Sequence, residues 1–247
     1  MTIIRITTGV PGLDELLQGG FPKGSIILVS GMPGTGKTLF GMHFIYEGAK
    51  NDQRSLYVTL DERIEKLILE AETIGIKLRN FIDAGKIEFL YLDVEKEEDF
   101  IETITKKVRE GNFERMVIDS ISALCETPIF LRELEESHKF AKLLDTMIPV
   151  PLDAPLVTRM HITTIINELR GLNCTSILIS ELIDESKGLS RDTITEFLVD
   201  GVIILTLDET MDIRKMKIRK MRGTKHTLTP QSIEITSQGL RIKKDVI

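Results

Sequence analysis

The chain has 247 residues, 42% of them hydrophobic and 28% charged, with a formal net charge of −6. That length suits one large α/β domain or two small ones with a substantial buried core, and no apolar stretch is long enough to span a membrane. The acidic balance argues against a dedicated nucleic-acid binder, and the lack of Trp with only three Tyr weakens any base-stacking platform.

Met1 to Thr8 alternates apolar and polar residues and lacks the hydrophobic region of a signal peptide. Cys125 and Cys174 are isolated, without metal-ligand spacing, and two free thiols fit a reducing cytosol. A cytoplasmic protein is the expectation. Residues Thr8 to Gly24 are rich in turn signals around one or two helical turns at Leu13 to Leu17. An apolar strand, Ile26 to Val29, then leads into Gly31-Met32-Pro33-Gly34-Thr35-Gly36-Lys37-Thr38 and a helix over Leu39 to Tyr46. Strands are predicted at Ser55–Leu60, Ile87–Leu92, Met116–Ile118 and Ser176–Ile179. Helices are predicted at Ile64–Thr73, roughly Glu98–Glu110, His161–Leu172 and Thr193–Val199. Val202–Leu207, Ile213–Met221 and Ser232–Ile242 follow as consecutive strands.

Repeated strand–helix alternation implies a mainly parallel sheet with helices on both faces. The last three strands lack intervening helices and are expected to close the sheet as an antiparallel meander. One stretch breaks the rhythm, at about 126–160. It holds an amphipathic helix candidate, Phe130 to Met147, and a connection through Pro149, Pro151 and Pro155. A single domain over 1–247 with one insertion is expected, and an insertion this long is usually functional or mobile.

The strand, glycine-rich turn and helix around Gly31 to Thr38 form a phosphate-binding loop. Glycines let successive N–H groups turn toward one centre, and the helix N-terminus adds partial positive charge. Lys37 would reach the β- and γ-phosphates, and the Thr38 hydroxyl would ligate Mg²⁺. Leu39 begins the helix beside the bound nucleotide. Asp119, at the end of Met116-Val117-Ile118, is the second expected metal anchor.

Hydrolysis also needs a group that orients or deprotonates water. Asp61-Glu62 ends the strand after the loop's helix, at the edge where ligands bind in open parallel sheets. Glu62 is the first choice for the catalytic carboxylate; the alternative for Asp61 is capping the following helix. Ser180-Glu181, ending a later strand, is a candidate γ-phosphate sensor. A basic strand runs from Arg214 to Arg222, with Lys220 and Arg222 on one face. Three readings stay open for it: stabilising phosphate charge, within or across a subunit boundary; guarding an edge strand; or a nucleic-acid strip.

Taken together, these residues resemble the KaiC-like branch of the RecA superfamily, in its single-domain form. The resemblance rests on Thr8-Gly9, Leu13 to Leu17, Gly19-Gly20, Gly24, the phosphate loop, Val58 to Glu62, Ile118-Asp119-Ser120, Glu196 to Asp200 and Lys220 to His226. It implies a RecA-like P-loop core, ATP with Mg²⁺, and homo-hexameric rings with nucleotide between subunits. It also implies that Lys220 and Arg222 reach the next subunit's phosphates, with His226 near its ribose. Typical members carry Glu-Glu where this chain has Asp61-Glu62. The self-phosphorylating half of the clock proteins has adjacent Ser and Thr at the positions of Glu196-Phe197, so that activity is not expected.

Two other functions are set beside the ATPase ring. One is a DNA-dependent recombination or repair ATPase. Acids outnumber Lys and Arg five to three over Glu126–Met147 and three to two over Ile183–Asp192, so the pore-lining segments supply no cationic surplus for DNA. The other is a nucleotide-gated scaffold holding an unidentified protein partner at the insertion.

Overall fold

Ile26–Gly31 is buried along its whole length, as expected of a strand covered on both faces. In the computed structural model, which describes residues 2–93, 100–123, 154–182 and 188–243, it lies inside a nine-stranded sheet. In chain order the elements are β1 (Arg5–Ile6), α1 (Leu13–Leu16), β2 (Phe21–Pro22), β3 (Ile26–Gly31), α2 (Lys37–Lys50), β4 (Ser55–Thr59) and α3 (Ile64–Thr73). Then come α4 (Arg79–Asp83), β5 (Ile87–Tyr91), α5 (Phe100–Gly111), β6 (Arg115–Asp119), α6 (Ala154–Arg170) and β7 (Thr175–Glu181). The chain continues through α7 (Thr195–Leu198), β8 (Gly201–Asp208), β9 (Ile213–Met221), β10 (Gln231–Thr236) and β11 (Gly239–Ile242).

The sheet order is β11-β10-β9-β8-β3-β7-β6-β4-β5. From β8 to β5 the neighbours are parallel, and β9, β10 and β11 are added antiparallel. This is the RecA-like α/β architecture with its antiparallel closing strands. Each face has its own core. Ile27 and Val29 point to the side of α2 and α3, with Phe40, Phe44, Leu67 and Ala71. Ile26 and Leu28 point to the side of α5 and α6, with Ile104, Val108, Ile165 and Ile166. Because all parallel strands run the same way, Gly31, Thr59, Asp119 and Glu181 end at one edge of the sheet.

Several expectations change. The predicted strand Ser232–Ile242 is a hairpin, β10 and β11, joined through Ser237-Gln238. Gly239 enters β11 at φ 91°, a left-handed conformation that glycine takes without steric cost. The helix expected from His161 begins at Ala154. Pro155 therefore sits in its first turn, where a missing backbone N–H breaks no helical hydrogen bond. The two-residue strands β1 and β2 and the short α4 had no sequence signal strong enough to announce them. The edge-strand reading of β9 fails over Arg214–Met216, where β9 lies between β8 and β10. Cys125, the helix candidate Phe130–Met147, Pro149 and Pro151 fall outside the described residues.

Candidate active site

The phosphate loop crosses from the end of β3 to the start of α2. Gly31 is required by closeness: a Cβ there would lie 2.4 Å from the Leu205 carbonyl oxygen and 2.7 Å from Thr35 Oγ1. Gly36, at φ 99°, precedes the helix in the left-handed region and leaves its N-terminus without a side-chain cap. The first N–H groups of α2 thus face the cleft as an anion site. Inside the loop, Thr35 Oγ1 donates to the Met32 carbonyl at 2.8 Å, and Lys37 Nζ donates to the same oxygen at 3.0 Å.

Burial works against the charges here. Lys37 is only 7% exposed, and desolvation lowers its pKa against the opposing pull of Glu181 and Asp119. Desolvation likewise raises the pKa of Asp119, which hydrogen bonds from Tyr57 and Thr38 partly offset. A buried cation and a half-buried anion facing one cleft complement a metal-bound polyphosphate. Thr38 Oγ1 donates to Asp119 Oδ2 at 2.8 Å, and Tyr57 OH donates to the same oxygen at 2.6 Å. Among the described residues, no group of three or more His, Cys, Asp or Glu could hold a metal. The donor set fits Mg²⁺, which takes few protein ligands and completes its shell from phosphate and water. Thr38 and Asp119 are the side chains that would hold it.

The cleft has a volume of about 360 Å³. Besides Pro33, Gly34, Gly36, Lys37, Thr38 and Asp119, it is lined by Leu39 and Met42 of α2 and by Leu67, Glu70, Ala71 and Ile74 at α3. Sequence reasoning missed the α3 wall, because its residues read as the buried face of an ordinary amphipathic helix. Glu181 also lines the cleft, as expected of a residue ending β7. Its backbone N–H donates to Ser122 Oγ at 2.8 Å.

The acid pair is split. Asp61 accepts a hydrogen bond from Ser120 Oγ at 3.2 Å, next to Asp119, whose pKa it pushes up. Glu62 turns outward to Lys66, with Nζ 2.7 Å from Oε2. Asp61 does not cap α3: the residue before that helix is Arg63, and no side chain caps it.

The basic strand separates too. At one end of β9, Arg214 Nε donates to the Gly34 carbonyl of the phosphate loop at 3.2 Å. At the other end, Lys220 pairs across β8 with Val202, which lies level with Leu28 in the strand leading to the loop. Arg214 and Arg222 are therefore roughly 25 Å apart along the strand direction, and Lys220 and Arg222 lie at the edge opposite their own loop. Lys220 Nζ donates to the carbonyls of Glu196, Phe197 and Val199, at 3.2, 3.5 and 2.6 Å. Arg222, more than half exposed, pairs with Asp200 at 3.3 Å. His226 Nδ1 is 3.1 Å from the Thr224 carbonyl. The turn between them is held by Arg5, which bonds Thr224 Oγ1 at 2.8 Å and the Gly223 carbonyl at 2.9 Å. Phe197 stands 69% exposed beside this cluster.

Comparison with known proteins agrees with this architecture. The family described as "ATPase: KaiC" matches residues 6–148 and 135–246. The UPF0273 protein of Thermotoga maritima is 33% identical over 242 residues, covering 97% of this chain and 96% of its own length. The circadian clock oscillator protein KaiC of Picosynechococcus is 35% identical over 246 residues, which span 96% of this chain and 44% of that longer protein. Among solved structures, a KaiC-like protein of Pyrococcus horikoshii OT3 superposes with a TM-score of 0.80 at 31% identity, covering 98% of this chain and all of that one. With a P-loop at the carboxyl edge of a RecA-like sheet and these matches along its length, the chain belongs to the KaiC-like ATPase family.

Proposed function

We propose that this chain binds and hydrolyses ATP with Mg²⁺, and does so as a ring with each nucleotide held between two subunits. The observation that carries the reading is the division of the site between two edges of one sheet. The phosphate loop, Thr38, Asp119 and Asp61 gather at the carboxyl edge, while Lys220 and Arg222 sit at the opposite edge, out of reach of their own loop. In a closed head-to-tail ring, one subunit's Arg222 edge faces the next subunit's loop edge. A hexamer is the expected ring.

The residues divide the work accordingly. Loop N–H groups and Lys37, released from the Met32 carbonyl, bind the phosphates. The Thr38 hydroxyl can keep its proton on Asp119 while turning an oxygen lone pair to the cleft. Bound Mg²⁺ would neutralise charge that develops on the phosphate oxygens. What supports Asp61 ahead of Glu62 as the group that activates water is its fixed place beside Asp119. Glu62, paired with Lys66 at the surface, would support it. Arg222, with Lys220, stabilises charge on the neighbour's phosphate, and His226 lies near the neighbour's ribose. Leu39, Met42 and the apolar α3 residues supply a wall for the rest of the nucleotide.

The test is ATP turnover per subunit measured across a dilution series, with mass in solution followed in parallel. Turnover should require Mg²⁺ and should fall as rings dissociate. Full specific activity in a monomer would overturn the shared site.

A further inference from the structure

Tyr57 stands in β4 as one more β-forming residue in an apolar run, and its ring is buried in the core. Its hydroxyl, buried as well, is aimed at the carboxyl edge of the sheet. In the sheet register Tyr57 lies beside Val117 and Thr59 beside Asp119, so Tyr57 starts two residues short of the carboxyl edge. The length of the phenol carries its oxygen forward to Asp119 Oδ2, at 2.6 Å. The ring passes under α2 where Gly41 makes room: a Cβ there would meet Tyr57 Cε2 at 3.2 Å. Phe89 also packs against the ring, with centroids 5.3 Å apart and planes tilted by 31°. One carboxylate oxygen therefore takes two hydroxyl donors, from Tyr57 and from Thr38.

We propose that Tyr57 is a positioning residue for the metal: its hydroxyl clamps Asp119 Oδ2 so that the other carboxylate oxygen is presented to the cleft. The inference rests on the Mg²⁺–ATP reading above. A carboxylate on a single Cα–Cβ–Cγ arm can rotate, and an outer partner that fixes its rotation raises its worth to a metal. The Thr38 hydroxyl donates to the same oxygen while its own oxygen faces the cleft, so Tyr57 is the donor with no second task. Tyr57 is not among the residues that line the cleft, so its effect would run through how Asp119 is held. The alternative is a purely structural bond, in which Asp119 only satisfies a buried phenol.

Tyr57→Phe separates the two. It keeps the ring, its contact with Phe89 and its fit against Gly41, and removes only the clamp. The readout is heat stabilisation of the protein by ATP as Mg²⁺ is titrated in, with ATP binding in EDTA as the companion measurement. The variant should need about tenfold more Mg²⁺ to reach half of the full effect, in line with the 10- to 100-fold cost of losing such outer partners. Its metal-free ATP affinity should match wild type within about twofold. An unchanged Mg²⁺ midpoint would overturn the clamp, as would an equal loss of ATP affinity with and without metal. If wild type itself shows no Mg²⁺-dependent stabilisation, the underlying Mg²⁺–ATP reading falls first.

Discussion

At the Arg214 end of β9 the polar groups serve this subunit's own phosphate loop; at the Arg222 end they lie away from it and bond to Asp200 and to the carbonyls around α7. The first region is closed. Lys37, Thr38, Tyr57 and Asp119 are bonded to one another or to the loop, and desolvation disfavours the charged forms of Lys37 and Asp119. The second region is open. Lys220 is tied to the carbonyls at the end of α7, Arg222 to Asp200, and Phe197 stands bare beside them. Asp200 joins the regions, since its Oδ2 accepts the N–H of Ile26, the first residue of β3, at 3.0 Å. Burial has already organised the first region, whereas Arg222 in the second is exposed and, in the proposed ring, would act on a neighbour's phosphate. The two ends should therefore fail differently when broken.

The largest effect is expected at the open end. Arg222→Ala removes an exposed ion pair worth about 0–1 kcal/mol, so melting should barely move. Turnover should fall roughly a thousandfold, the low end of what an arginine acting in trans supplies. Lys37→Ala should be inactive for the other reason, loss of phosphate binding. Mixed rings decide between cis and trans action. An Arg222→Ala loop beside a Lys37→Ala neighbour meets an intact Arg222, so mixing two inactive proteins should restore part of the activity. No recovery in rings shown to be mixed would place Arg222 outside its neighbour's site.

Next in size is the split acid pair at the closed end. Asp61→Asn keeps a group that can bond Ser120 but removes the carboxylate beside Asp119. Turnover should drop about 10²- to 10⁴-fold with ATP binding retained, the range for loss of a general base. Glu62→Gln, which breaks an exposed pair with Lys66, should cost about tenfold or less. The reverse order would move water activation to Glu62.

How much of this could be read from residues alone follows the same division. The phosphate loop is eight consecutive residues, and Asp119 ends an apolar strand, so both are local patterns. Tyr57 and the α3 wall are not. Tyr57 matters only through its register with β6, and Leu67, Ala71 and Ile74 only because α3 leans over the loop. Lys220 and Arg222 were visible as charges, but their distance from their own loop needed the antiparallel turn of β8 into β9. Local chemistry is written in sequence order; proximity across a sheet is not. The fold's misses have the same origin. Ser237-Gln238 interrupts an otherwise alternating run, and a proline masked the first turn of α6.

The smallest effect tests whether the closed end is held as one piece. His43, in the middle of α2, is 5% exposed, and its Nε2 accepts the Leu240 N–H at 2.8 Å. That bond fastens α2 to the β10–β11 hairpin, whose Ile235 and Leu240 lie against Gly36 of the loop. Burial lowers the His43 pKa to about 4, against the raising effect of its bond to the Gly9 backbone. In the unfolded chain it would titrate near 6.5. Between those values the unfolded state binds the proton and the folded state does not, so stability from this group is complete above pH 6.5 and lost as pH falls toward 4. At about 1.4 kcal/mol per pH unit, the loss reaches at most about 3.5 kcal/mol. His43→Gln can still accept from Leu240 but cannot titrate. Wild type should lose its stability advantage over this variant as pH falls from 7 to 4, and parallel melting curves would refute the assignment. Because Leu240 sits over Gly36, the ATP affinity of wild type should weaken through the same interval relative to the variant. That coupling would mark hairpin, α2 and loop as one unit, set apart from the Arg222 edge, which is proposed to act on a neighbour.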